Sequence, residues 1–321
     1  MRRCKKGGLS SFLRLALVAI CALSFAEAHS GDRKFSLVIK EGFGSIKIGD
    51  VNTTRSSTNS SYDTIREVYP GNCIGEFFPL PNNFRDWEAE LTWQFWRGLS
   101  VGLSVSGPTH FSQTSPLTYS FDTDIGTQVD NFIWTSEIHA AAPVKLNLHY
   151  SFPILSRFHL NVSGGIGYYH ARILNRSQWQ YIDPTGASVV GYDLFNVTGN
   201  QIGFHGGIGF EYKYTERVSL FAEGLWRLAK IRTLKGSITT HADAYDENGY
   251  LTGTYDTDIY QGILYHYSGE DLIVGGVRHE KLLVNDFPPP WIGTDLPADV
   301  RKAFLDLSGF TFRIGLKIGL F

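Results

Sequence analysis

The chain has 321 residues, a formal charge of −2 at neutral pH and three cysteines. So small a charge excludes nucleic acid as a partner implied by electrostatics, and three cysteines are too few for a disulfide-framed secreted domain of this length. Gly 34, Tyr 16 and Phe 22 beside a single Met describe a chain sparse in helix formers and rich in the residues of closely packed antiparallel sheets.

The N-terminus carries Arg2, Arg3, Lys5 and Lys6, then an apolar run from Leu15 to Phe25, then Ala26, Glu27 and Ala28 at cleavage-site spacing. This is the pattern of a secretory signal peptide over residues 1–28. Its removal takes Cys4 and Cys21 away and leaves Cys73 alone in a mature chain of 29–321, with no intrachain disulfide. No later apolar run approaches the roughly 18 residues of a spanning helix. If the mature chain crosses a membrane, it crosses as a closed sheet.

Eight long strands are predicted, at about 34–50, 86–96, 98–107, 135–152, 157–174, 200–214, 217–234 and 309–321. Each alternates apolar and polar residues with period two. In the second, Trp87, Ala89, Leu91, Trp93 and Phe95 oppose Glu88, Glu90, Thr92 and Gln94; in the fourth, Ile138, Ala140 and Ala142 through Phe152 oppose Glu137, His139, Lys145, Asn147 and His149. The first strand is expected to bulge at Gly42, Phe43 and Gly44. Connections alternate in length. They are short at Arg97 and Gly98, near Pro153, and at Thr215 to Arg217; they are long at 51–85, 108–134, 175–199 and 235–308. The last is too long for plain coil. Within it, Asp246, Glu247, Asn248 and Gly249 are a hairpin signal, which either an extension of the seventh and eighth strands above the membrane or an additional hairpin would meet, and Asp295, Leu296 and Pro297 predict a short helix to about Leu305.

This rhythm defines an all-β fold, an antiparallel up-and-down transmembrane β-barrel of eight strands with long extracellular loops. Alternation alone does not separate it from a soluble barrel, in which the apolar face would point inward. The alternating loop lengths, the aromatics gathered near strand ends and the Gly- and Ser-rich polar face favour the membrane form. Glu88, Glu90, Glu137, His139, Lys145, His149, His159, His205, Glu211, Lys213, Glu223, Arg227, Arg313 and Lys317 then share one lumen. An eight-stranded ring is about filled by side chains, so the expectation is a salt-bridged plug rather than a proton path or catalytic cluster. Two similar stretches, 163–167 and 205–209, contain Gly-Gly-Ile-Gly; neither precedes a helix, so they make room for neighbours rather than cradle phosphate. His241, Asp243, Asp246 and Asn248 form a loop cluster that calcium could use, but without EF-hand spacing a solvated turn is the simpler reading. No nucleophile elbow, zinc motif or cofactor motif is present, so no catalytic residue, cofactor or metal is expected.

The final strand alternates Phe310, Phe312, Ile314, Leu316, Ile318 and Leu320 with Thr311, Arg313, Gly315, Lys317 and Gly319, and stops at Phe321. A terminal strand closing on Phe resembles those of bacterial outer-membrane barrels. Arg313, Gly315, Ile318 and Leu320 resemble the polar-x-Gly-x-x-apolar-x-apolar signal read by barrel-assembly machinery, with Phe321 one residue out of register. Over nearly all of the mature chain the sequence resembles small outer-membrane β-barrel proteins, the OmpA-transmembrane-like and OmpW-like group. The resemblance implies a cell outer-membrane location, with membrane lipid and assembly machinery as partners. It also implies a non-enzymatic structural or surface-binding role. The alternatives are a narrow channel for small apolar compounds and, behind it, a lipid-modifying or proteolytic barrel enzyme.

Overall fold

Strands that alternate over more than ten residues carry unpaired backbone groups along both edges, and a closed ring pairs them all. That is the arrangement found. The computed structural model describes residues 35–320 apart from 258–259, 272–276, 287 and 289–294. The signal-peptide segment 1–28 and Phe321 lie outside the described residues. The elements are β1 (Phe35–Gly49), α1 (Asp50–Val68), β2 (Gly71–Gly75), β3 (Asn83–Trp96), β4 (Leu99–Ser106), β5 (Thr109–Thr123), β6 (Gly126–Pro153), β7 (Phe158–Ile182) and β8 (Ser188–Lys213). They continue with β9 (Val218–Leu228), β10 (Lys230–Ile231), β11 (Lys235–Tyr245), β12 (Leu251–Asp256), β13 (Tyr260–Asp271), β14 (Val277–Asn285), β15 (Asp295–Lys302) and β16 (Leu305–Gly319).

Eight of these pair antiparallel in a closed circuit, β1–β3–β4–β6–β7–β8–β9–β16 and back to β1. The first and last strands close it, with Val38 opposite Lys317 and Phe43 opposite Phe312. All eight predicted strands fall in the ring. One end has only short connections, and Gly98, at φ 74°, makes the tightest of them. At the other end β6, β7 and β8 run on to 28, 25 and 26 residues. There β5 takes over the edge of β6 and β11 that of β8. The segments 108–134, 175–199 and 235–267 are therefore built largely of strands that continue the sheet beyond the ring.

The predicted hairpin in the last long connection is present as β11 and β12, and Gly249 takes the positive φ of 79° that its turn requires. Three local expectations are corrected. Pairing of β1 with both neighbours runs unbroken through Gly42 to Gly44, and the irregularity falls at Ile46 to Ile48. The expected short helix after Asp295 is strand β15, because the exposed edge of β13 offers it backbone partners. Residues 51–85 contain the helix α1, which the composition hides. Ten of its nineteen residues are Ser, Thr or Asn, and its N-cap, Gly49, supplies no side-chain bond.

Tertiary contacts hold α1 instead. The buried Asp50 accepts two bonds from Arg301, at 2.7 and 2.9 Å, and one from the Phe304 N–H at 2.8 Å. Asn52 and Asn59, two turns apart, bind the backbone of Leu80 and Phe77 in both directions, so segment 77–80 runs along the helix. Arg55 is fully buried, and among the described residues no carboxylate pairs with it. Its guanidinium donates to the Phe78 carbonyl at 2.6 Å, Ser136 Oγ at 2.8 Å and Ser115 Oγ at 2.5 Å, and lies 4.9 Å from the Trp134 ring. Burial pushes its pKa down to about 10, far enough above neutrality that the buried group keeps its charge.

Replacing Arg55 by Ala removes the donor for two buried hydroxyls and one carbonyl and leaves a void. The expected cost is about 2–4 kcal/mol. Hydrogen exchange should show faster opening of 50–68 while the ring strands keep their protection; equal protection of α1 in the variant would show that Arg55 does not anchor it.

Candidate functional site

In the ring, side-chain direction follows from strand parity. On β1 the inward positions are Ser36, Val38, Lys40 and Gly42; on β3 they are Asp86, Glu88, Glu90 and Thr92; on β16 they include Thr311 and Arg313. Lys40 is 4 % exposed and Arg313 2 %. The Lys40 ammonium lies 3.2 Å from Glu88, 2.8 Å from Glu90 and 3.5 Å from Glu223. The Arg313 guanidinium reaches Glu223 at 2.6 Å, Glu88 at 3.0 Å and Asp86 at 3.5 Å. Lys145 donates to Glu88 at 2.5 Å. Glu88 thus takes three cations from three strands.

A second layer lies nearer the short-turn end. Glu90 Oε1 meets Asn147 Nδ2 and His149 Nε2, both at 2.6 Å, and Asn147 Oδ1 meets His205 Nε2 at 2.6 Å. Glu211 accepts from Asn161 at 3.0 Å and lies 3.4 Å from Lys317. Counting Arg227, five basic side chains (Lys40, Lys145, Arg227, Arg313, Lys317) face five carboxylates (Asp86, Glu88, Glu90, Glu211, Glu223) in this interior. The numbers balance, as a space with little water demands. A cavity of about 60 Å³ borders Lys40, Glu90, His149, Glu211 and Lys317, room for only a few waters. The glycines admit this crowding. A Cβ on Gly165 would lie 2.7 Å from His205 Nε2, and one on Gly209 2.7 Å from Glu223 Cβ.

Of the residues assigned to the lumen from the sequence, Glu88, Glu90, Lys145, Glu211, Glu223, Arg313 and Lys317 come together here. Arg227 sits above them, donating to Thr311 Oγ1 at 3.3 Å over the rings of Phe84 and Tyr169. Lys213 is exposed at the short-turn end. Glu137 and His139 do not face the lumen. Pairing of β6 with β7 shifts between Ala141 and Val144, and this bulge turns the strand over. Below it Lys145 and Asn147 point inward; above it Ile138, Ala140 and Ala142 are buried, while Glu137 and His139 point out. Strict alternation carried through the bulge put these residues on the wrong face. Lys40 and Asp86 are the members that sequence reasoning missed. Lys40 stands in Phe-Ser-Leu-Val-Ile-Lys, where Val38 makes both faces look apolar, but its parity with Ser36 and Gly42 marks it as inward.

Among the assembly-signal residues, Arg313 is in the charge network and Gly315 passes close under the Phe221 ring. Ile318, opposite Leu37 and Val218, is buried rather than outward-exposed, and Leu320 donates its N–H to the Phe35 carbonyl. Above the charges an apolar layer closes the interior, with Ile48, Phe84, Phe111, Ile138, Ala171, Ile173, Val197 and Leu305 in contact. The loop cluster expected to be a turn is divided. Asp246 Oδ1 accepts from the Asn248 and Tyr250 N–H groups. His241 lies between Asp256, at 2.6 Å, and Asp243, at 3.2 Å.

No family model matches the sequence, and no curated protein matches it. Solved structures do. The outer-membrane protein OprG from Pseudomonas aeruginosa is 12 % identical over 90 % of this chain and 97 % of its own, at a TM-score of 0.31. The outer-membrane protease OmpT from Escherichia coli is 11 % identical over 91 % and 99 %, at 0.29. An outer-membrane channel from Pseudomonas putida F1 is 9 % identical over 91 % and 100 %, at 0.22. Likeness this distant carries neither activity nor ligand.

Two outcomes are expected. Lys40→Met leaves Glu88, Glu90 and Glu223 short of a cation in a dry interior, which costs about 3–5 kcal/mol. Guanidinium unfolding in detergent, followed by tryptophan emission, should show the loss, and Lys40→Met with Glu90→Gln should recover part of it. Undiminished stability in the single variant would count against the network as a support. The second concerns His241, whose two carboxylates raise its pKa above 6.5. A raised folded-state value means that the pairing stabilises fully below about pH 6.5 and is lost as the pH rises through the raised value. Amide exchange across 240–256 should therefore quicken, beyond its intrinsic pH dependence, on going from pH 6 to pH 8, and His241→Ala should abolish that difference.

Proposed function

We propose that this protein is an eight-stranded up-and-down β-barrel of the bacterial outer membrane, non-enzymatic and closed to flow, that serves as a structural element or binds partners through its outer half. The observation that carries this reading is an inverted polarity in the ring. Its charges are inside and buried, and its outer wall is apolar: Leu103 is 57 % exposed, Phe204 61 % and Ile314 60 %. A soluble barrel would have these faces exchanged, and water would make so continuous an apolar band prohibitive. The band is bounded as a bilayer requires. Trp93, Phe95, Trp96, Tyr150, Phe152 and Tyr214 lie exposed towards the short-turn end, and Trp87, Tyr168, Trp226 and Phe310 towards the other. The first outward ion pair, Glu41 with Arg85, stands at that second rim. Short turns then belong to the periplasmic side and the long strands to the cell exterior.

A channel for small apolar compounds would need a path past Lys40, Glu88 and Arg313 and then through the apolar layer. The balanced plug supports a closed barrel instead. Membrane lipid is the partner of the wall, and assembly machinery reads the terminal strand, in keeping with the resemblance of 313–321 to its signal.

Cell fractionation should recover the protein in the detergent-extractable outer membrane, with gel mobility that changes on heating. In planar bilayers it should give little or no steady conductance. Recovery as a soluble periplasmic protein would sink the membrane reading; large stable openings would overturn the plug and bring the channel forward.

A further inference from the structure

The bulge that turns β6 over places three ligating side chains together on the outer wall. His110, on β5, is the register partner of His139, on β6, and their rings stack with centroids 4.3 Å apart and planes at 8°. Glu137, two residues before His139 on the same face, sets Oε2 3.6 Å from His139 Nε2 and 3.8 Å from His110 Nε2. One ligand atom from each lies within 4.8 Å of the other two.

We infer that His110, Glu137 and His139 form a surface binding site for a divalent metal ion of borderline softness, Zn²⁺ being the chemical type. Zinc bound at about 2.0–2.2 Å by nitrogen and oxygen sets neighbouring ligands about 3.3–3.5 Å apart. Two of the three edges are already within a few tenths of an ångström of that, and the third closes by fanning the stacked rings. The rings are free to fan: the His110 and His139 side chains are 51 % and 49 % exposed and that of Glu137 34 %. Two imidazoles and one carboxylate suit zinc or copper and not calcium or magnesium, which take oxygen. The set carries one negative charge when both imidazoles are neutral, the state in which they ligate. Arg172, opposite His139 on β7, is a cation that binding has to offset; its Nε donates to Asn196 Oδ1 on β8 at 2.8 Å, on the side away from His110.

The bulge also argues for a site rather than a chance cluster. Continued alternation from Lys145 would turn Glu137 and His139 into the apolar layer. The bulge instead sends Ile138 and Ala140 there and brings the ligands out, and bulges recur where a strand must re-aim a side chain. Three protein ligands leave further positions facing outward. The bound ion would pin β5 to β6 and still accept a ligand from outside.

Titration of Zn²⁺ into the refolded protein in detergent, in a His241→Ala background that removes the partly exposed His241, Asp243 and Asp256 group, should give one saturable site. His110→Ala and His139→Ala should each weaken it by at least the about tenfold that even an outer-shell partner costs, and Glu137→Gln should weaken it too. Heat-modified gel mobility checks that the variants are folded. Independently of any variant, Zn²⁺ should protect His110 and His139 of the wild-type chain from diethyl pyrocarbonate, read by mass spectrometry. No saturable binding, unchanged affinity in the His110→Ala/His139→Ala double variant, or no protection of the two histidines would overturn the site.

Discussion

The constraint on which the rest depends is the need to pair charge inside a closed ring. Once β1 meets β16, the interior polar groups are cut off from bulk water, and an unpaired carboxylate there is too costly to persist. Glu88 meets it by taking Lys40, Lys145 and Arg313, each from a different strand. Glu223 takes Lys40 and Arg313 from a fifth. These contacts fix register as well as charge. A one-residue slip of any of the five strands would move its charge to the apolar outer face and put an apolar chain among the rest. Backbone pairing closes the ring, and the buried charges allow it only one register.

The outer half of the molecule solves the opposite problem. Beyond the ring the sheet faces water outside and packs against itself inside, so apolar residues must point inward. Strands that serve both halves must exchange polarity along their length. In β6 the bulge at Ala141 to Val144 makes the exchange by changing parity. In β7 and β8 parity is kept and composition changes instead: the inward row passes from Asn161, Ser163 and Gly165 to Tyr169, Ala171 and Ile173, and from Glu211 and His205 to Val197 and Phe195. The helix α1 belongs to this half, where it brings its own buried cation, Arg55, into a setting of hydroxyls and an aromatic ring rather than carboxylates.

Much of this is readable in the sequence, for a simple reason. Period-two alternation and turn chemistry are local signals, and they locate all eight ring strands with their short connections. Signals that need a partner are not local. The Ser- and Thr-rich stretch of α1 has little helical propensity of its own, and tertiary bonds hold it as a helix: Asp50 with Arg301, Asn52 and Asn59 with segment 77–80, and Arg55 with Ser115 and Ser136. The strand β15 exists because β13 has an open edge beside it. Glu137 and His139 show the sharpest failure. Pro143, inside the bulge, is its one local mark, since a strand interior admits Pro mainly at edges and bulges; the bulge reverses every assignment beyond it, so that counting from Lys145 leads into the lumen and the chain leads out. Lys40 fails for the opposite reason: its parity was legible, but the apolar Val38 beside it masked the polar row.

Where function can reside follows from the two seals. A molecule entering from the short turns meets the charge network, and one entering from the long strands meets the apolar layer headed by Ile48, Phe84 and Phe111. Passage would have to open both, and the charge layer cannot open by a small shift because Glu88 and Glu223 tie five strands together. Chemistry inside the ring is restricted in the same way, since its acids and bases are one another's partners. On the function proposed above, recognition is left to the surface of the outer half. There, side chains such as those of His110, Glu137 and His139 keep solvent access, and the β11–β12 hairpin offers His241 between two carboxylates. On this architecture the interior supplies rigidity, and change in the outer face can proceed without disturbing it.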